Sequence, residues 1–184
     1  MFEHDPDVLV AEGKLFDKVL QVGPAYKLND NLNSNVLQQW ESMASISSTN
    51  INTSATFANT LIAYPPYPAP NPFLIFYPSW QRRNSSDSDI SVHEKSEATI
   101  FQEQVSRACN GRRFFLTEKG RIGLGPEDMQ EGDVVAVLLG GLVTFVLREQ
   151  ESNFTLLGES YIHGVMKGEA IEGENVALEM LGIV

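Results

Sequence analysis

The stretch from Gly111 to Gly168 has the densest β-type patterning in the chain, and it limits the fold more than any other part. Arg112 to Thr117 alternates, which places Phe114 and Leu116 on one face of a strand and Phe115 and Thr117 on the other. Glu118-Lys119-Gly120 supplies a turn, and Arg121 to Gly125 reads as a second short strand. Val134 to Leu139 is apolar at every position, the pattern of a strand covered on both faces. Gly140-Gly141 then fits a two-residue hairpin turn with positive φ, so Leu142 to Arg148 is expected as the partner strand. Past the polar turn Glu149 to Asn153, Phe154 to Met166 is expected as one long last strand. Gly158 and Gly164 interrupt it, and such glycines mark bulges or close backbone approach.

The remainder of the chain is expected to frame this β core, residues 111–168, within a single domain, 1–184. Val8 to Glu12 and Leu15 to Val22, separated by Gly13-Lys14 and closed off by Gly23-Pro24, suggest an N-terminal hairpin over 8–22. Over 32–46, Val36, Leu37, Trp40, Met43 and Ala44 recur at helical spacing. Residues 49–96 read as a long flexible loop. Thr49 to Thr60 is polar without a clear period, Tyr64 to Pro72 is locked into extended backbone by its prolines, and Asn84 to Ser96 has the Ser/Asp-rich composition of a disordered linker. Within that loop, Phe73 to Tyr77 and Trp80 either pack on the domain or form an exposed patch. Over 99–109, Ile100, Phe101, Val105 and Ala108 predict a second helix, capped at Asn110-Gly111. The tail 169–184 is expected to carry a short helix around Val176 to Leu181. Together these elements make an α+β fold: a small, mainly antiparallel sheet or partly closed β-barrel formed by the N-terminal hairpin and the C-terminal strands. The two helices are the expected cover for Val134 to Leu139.

Charge and cysteine content exclude several classes of function. The 184 residues carry a net charge of -11, and the basic residues form no stripe able to neutralise phosphates. Nucleic acid and anionic lipid are therefore not expected partners. No apolar run approaches the length of a membrane span. Cys109 is the single cysteine, so no internal disulfide can form, and Met1 to Asp7 is acidic rather than the start of a signal peptide. A cytoplasmic protein is expected.

Candidate chemistry is sparse. Glu159 and His163, with Glu169 farther on, are residue types that bind metal, but i and i+4 on a strand lie roughly 13 Å apart unless a bulge intervenes. A structural, hydrogen-bonding His163 is the favoured reading over a ligand. Cys109 has no histidine near it in sequence and fits a small buried thiol better than a nucleophile. Gly123-Leu124-Gly125-Pro126 and Gly140-Gly141 lack the context of a phosphate-binding loop and read as turn chemistry. Asp133 after Gly132 fits a turn-stabilising aspartate ahead of a strand. Arg112 and Arg113 are expected as solvated charges at the sheet edge, and no cofactor is expected.

Five linked submotifs also carry a family resemblance. Gly-Arg-Arg-Phe-Phe-x-Thr-x-x-Gly from Gly111 is followed by Ile-Gly-Leu-Gly-Pro from Ile122 and Gly-Asp-Val-Val-x-Val-Leu-x-Gly-Gly from Gly132. Phe-Val-Leu-Arg from Phe145 comes next, then Gly-Glu-x-Tyr-x-His-Gly-x-Met-x-Gly-Glu-Ala from Gly158. In this order they resemble the C-terminal region of fungal heterokaryon incompatibility (HET domain) proteins, strongly over Asn110 to Glu172 and weakly over Val8 to Pro24. The resemblance marks Gly123, Gly125, Pro126, Gly132, Asp133, Gly140, Gly141, Gly158, Tyr161, His163, Gly164, Gly168 and Glu169 as a structural motif, with no catalytic, cofactor or metal residue among them. It implies a role in nonself recognition, in which fusion of unlike cells triggers programmed cell death. In the family that activity belongs to an N-terminal HET domain with a Trp-Ile-Asp-Ala-x-Cys type strand. Trp40 and Trp80, the only tryptophans, lack that context. The expected function is thus a non-enzymatic accessory module, a truncated homologue, a separated gene model or a decayed copy, that works with protein partners or an upstream HET domain. A small hydrolase or metal-dependent enzyme using Glu159 and His163 is the alternative.

Overall fold

Trp40, with no solvent exposure, ties the N-terminal part of the chain to its β core. Its indole nitrogen donates to the Pro24 carbonyl at 3.0 Å, and its ring stacks on Phe114 with centroids 5.8 Å apart. The computed structural model describes residues 8–28, 33–46, 53–64, 71–85, 89–171 and 177–184. In chain order the elements are β1 (Leu9–Tyr26), α1 (Asn33–Ile46), α2 (Thr53–Leu61), a 3-10 turn (Pro72–Phe76), α3 (Tyr77–Asn84) and α4 (Val92–Cys109). They continue with β2 (Arg112–Thr117), β3 (Ile122–Pro126), β4 (Val134–Leu138), β5 (Thr144–Gln150), β6 (Asn153–Ile162) and β7 (Glu179–Ile183).

The strands form one seven-stranded sheet in the order β2-β3-β6-β5-β4-β1-β7, and a further β1–β2 pairing closes it into a ring of hydrogen bonds. Among the described residues, pairing is antiparallel except for a single parallel bridge, Phe154 to Ile183. The fold is α+β with a partly closed sheet. The ring depends on β1. Its first residues pair with β7, Gly13 to Lys18 with β4, and Val19 to Tyr26 with β2. The expected hairpin over 8–22 is therefore one continuous 18-residue strand. Gly13 is no turn, because it lies in register with Leu138, where a Cβ would sit 2.6 Å from the Val137 carbonyl oxygen. Irregularities between Leu15 and Asp17 and between Val19 and Gln21 bend β1 from one partner to the next.

Adjacent residues of β2 face different cores, as the alternation predicts. Phe114 and Leu116 join Trp40, Phe57, Phe101 and Leu124 under the helices, whereas Phe115 points into the ring with Val19, Val135, Val146 and Ile162. Val134 to Ala136 is buried on both faces, but the helices are not its cover. Val135 faces the ring interior, and Ala136 faces a third cluster with Leu147, Leu181 and Ile183. The second cover is thus β7, formed where a short helix was expected. Leu181 and Ile183, two apart, supply its buried face.

The helical half is larger than expected. The helix over 32–46 is present as α1, with Val36, Leu37, Trp40, Met43 and Ala44 as its buried residues. The predicted flexible loop over 49–96 instead contains α2, the 3-10 turn, α3 and the start of α4. Asn71 caps the 3-10 turn by accepting from the Phe73 N–H, with Pro72 at the first position, where its missing donor costs nothing. Pro78 stands in the first turn of α3 for the same reason. Ser91 and Glu94 form a capping box, so α4 begins well before Thr99. Its buried line is Ala98, Phe101, Val105 and Cys109, and Ile100 turns outward. Tyr77 and Trp80 stack on one another and pack against Phe101 in the core, Phe73, Leu74 and Phe76 are partly buried against the same cluster, and Ile75 is exposed. The expected extended backbone at 65–70 and the linker residues 86–88 lie outside the described residues, as do 47–52 and 172–176.

Candidate functional site

Strand β6 presents Glu159 and Tyr161 at alternate positions on one face, and His163 follows in the turn just past its end. Tyr161 is buried, and its hydroxyl donates to the Tyr64 carbonyl at 2.9 Å. With that proton committed, the hydroxyl oxygen accepts from His163 Nδ1 at 3.1 Å, and the neutral imidazole carries its proton on Nδ1. Burial pushes the Tyr161 hydroxyl up and lowers the His163 pKa, because both charged forms lose solvation. The predicted strand to Met166 stops at Ile162, where a turn closed by the Val165 N–H and the Ile162 carbonyl carries His163 and Gly164.

Glu159 and His163 are not brought together. The bulge in β6 falls between Leu156 and Gly158, ahead of Glu159, and Gly164 lies beyond His163, so neither glycine shortens the span between the two side chains. Glu159 instead lines a cavity of about 200 Å³ with Arg112, Tyr161 and Met166. Glu169 is exposed and accepts from the Lys167 N–H, with Gly168 at φ 93°. Among the described residues, no group of three His, Cys, Asp or Glu side chains could hold a metal ion.

Cys109 is fully buried at the end of α4, where its thiol donates to the Leu61 carbonyl at 3.0 Å. Burial pushes its pKa far up, against a smaller opposing effect of the Arg112 charge, so the nucleophilic thiolate is suppressed.

Gly123 and Gly125 are strand residues of β3 rather than turn residues. They are small because other groups approach closely: a Cβ at Gly123 would meet the Tyr161 carbonyl oxygen and the Phe115 ring, and one at Gly125 the Met129 sulfur. Pro126 ends this strand and packs against Gly158.

The polar centre that the sequence underplays is Asp133. It accepts from the Gln130 N–H at 2.7 Å, the predicted turn role, following Gly132 at φ 91°. It also accepts two bonds from Arg148 on β5, whose guanidinium donates in addition to the Asp128 carbonyl. Arg113 is likewise no solvated edge charge, since it is half-buried and donates to the Glu127 and Gly23 carbonyls. Arg148 and Arg113 staple the 127–133 loop to the sheet. Only their place within the submotifs could have marked them beforehand.

The ring of strands, covered by helices and stapled in this way, is an α+β domain with a partly closed sheet. The chain belongs to the Het-6 beta-barrel domain family, whose model matches residues 81–177. It is similar to heterokaryon incompatibility protein 6, OR allele, of Neurospora crassa, with 39% identity over 116 residues, covering 53% of this chain and 17% of that protein. The chain thus spans under a fifth of its relative's length. No solved structure matches it. Among the described residues, no helix is long and apolar enough to cross a membrane.

Proposed function

We propose that this chain is a non-enzymatic accessory or regulatory module of a heterokaryon incompatibility-type protein, acting in fungal nonself recognition through protein partners. The killing step would belong to a separate effector part, upstream in the same polypeptide or on another chain. The observation that carries this reading is that the family model matches residues 81–177, which hold β2 to β6, while the similarity to the relative covers 17% of that protein. Trp40 and Trp80 add support, because both are packing anchors and neither stands in a HET-type strand. The separation of Glu159 from His163 and the sealed thiol of Cys109 favour a module over a hydrolase.

Inducible expression of the chain alone in a filamentous fungal host tests the proposal. Growth should continue. Cell death that persists in the wild-type chain and disappears in His163→Asn or Glu159→Gln would overturn the module and establish the enzyme reading.

A further inference from the structure

A groove of about 320 Å³ runs between α1 and α3 over the middle of α2. Leu37, Phe57 and Trp80 form its floor, with Gln38 and Gln81 on its walls. Glu41 is the one charged side chain among its described lining residues. The groove continues past Glu41 and Phe57 into a second cavity of about 210 Å³ bounded by Ala44, Ser45, Ser54 and Tyr77. One stripe of α1, Leu37, Gln38, Glu41, Ala44 and Ser45, lines both parts at helical spacing.

The geometry points to a binding site for an organic cation, a guanidinium or primary ammonium group on a short apolar stem, seated with the stem on the aromatic floor and the charge at Glu41. The volume falls in the range of small-ligand sites, and an apolar floor with a few polar groups is the usual composition of such sites. Glu41 is exposed and has no ion pair among the described residues. The cations nearest in sequence on α3 are turned toward α4: Arg82 pairs with Glu94, and Arg83 donates to Thr99 and Gln102. The Glu41 charge also reaches the second cavity, since it adds to burial in raising the Tyr77 hydroxyl. A cation beside Trp80 and Tyr77 would also be attracted by the aromatic quadrupoles, and the net charge of -11 favours approach of positive ligands. Of the lining residues of the first cavity, only Gln81, Asn84 and Ser85 fall within the family-matched stretch, so the site is chiefly a feature of the N-terminal part of this chain.

Titration of the ¹⁵N-labelled full chain with butylguanidinium, its neutral isostere butylurea and a blocked Ala-Leu-Arg-Leu-Ala peptide tests the site. Butylguanidinium should produce saturable shifts at Gln38, Glu41, Phe57 and the Trp80 indole, and butylurea should not. Glu41→Gln should weaken binding at least tenfold. Ser34→Trp, which fills the mouth and leaves the charge, should do the same. Both substitutions are at exposed positions and should leave the melting temperature unchanged. A peptide that binds at least tenfold more tightly than butylguanidinium identifies an arginine side chain of a protein partner as the source, and equal or weaker peptide binding identifies a free small cation. Equal shifts with butylurea, unchanged affinity in Glu41→Gln, or shifts centred elsewhere would each overturn the site.

Discussion

Arg148 grips both carboxylate oxygens of Asp133, Nε to Oδ1 at 2.9 Å and Nη2 to Oδ2 at 3.0 Å. Asp133 is 2% exposed, so the fork neutralises a charge that water cannot reach. Arg148→Met leaves that carboxylate buried and unpaired and should destabilise the fold by about 3 kcal/mol in urea denaturation. Asp133→Asn should cost less, because the amide oxygen still accepts from the Gln130 N–H or from Arg148. Equal costs would mean that the ion pair contributes nothing beyond the turn.

β1 closes the ring, yet it lies outside residues 81–177, the part that matches the family model. A fragment of those residues alone exposes the edges of β2 and β4 that β1 covers, and it loses Val19 and Tyr26 from two cores. It should lack dispersed amide signals in a ¹H–¹⁵N spectrum. Residues 89–184 mixed with a separately expressed 1–88 piece should recover them, because every strand is then present. A folded 81–177 fragment would show that β1 is dispensable.

Much of the β core was legible because its signals are local. The alternation of Arg112 to Thr117 separates Phe114 from Phe115 as observed, and of the run Val134 to Leu139 the first three residues are buried, the next two half-buried and Leu139 exposed. What covers β4 was not legible, since β7 lies some forty residues away and its short alternation competes with helical spacing around Leu178 and Leu181. The loop assignment over 49–96 failed for a different reason. Prolines and serines were read as breakers, whereas Pro72 and Pro78 start helical turns and Ser91 caps α4. Ser91-x-x-Glu94 is a capping signal in plain sequence. The Asp133–Arg148 fork joins residues whose partnership only the β4–β5 pairing creates.

The β4–β5 turn is longer than the expected two-residue hairpin, with Val137 paired to Thr144 and Gly141 donating to the Leu138 carbonyl. Gly140 alone carries the positive φ, 89°, at the third position of that turn. Gly140→Val should cost about 1–3 kcal/mol through backbone strain, and Gly140→Asn much less. Gly141 is small for another reason: its Cβ would sit 2.7 Å from the Phe145 ring. The cost of Gly141→Ala should therefore shrink when Phe145 is also replaced by Leu, in a double-mutant cycle. Strict additivity would place the strain in the backbone.

Alkaline pH should weaken the fold through its buried tyrosines. Burial, with a smaller addition from the Glu41 charge, pushes the Tyr77 hydroxyl from 10.0 up to about 12, and burial raises that of Tyr161 further. In the unfolded chain both ionise near pH 10. Below pH 10 the two states hold the same tyrosine protons, and stability is undiminished. Between pH 10 and about 12 the unfolded chain has released protons that the folded chain keeps, so stability falls as pH rises. Tyr77→Phe removes one of these groups. It should leave stability at pH 8 little changed, because the lost hydroxyl contacts are to Gln81 and Ser54 side chains, and it should flatten the decline above pH 10. Urea denaturation at stepped pH, beside an ultraviolet titration of phenolate, measures both. A Tyr77→Phe chain with the wild-type slope would assign the alkaline loss to other groups and remove Tyr77 from the account.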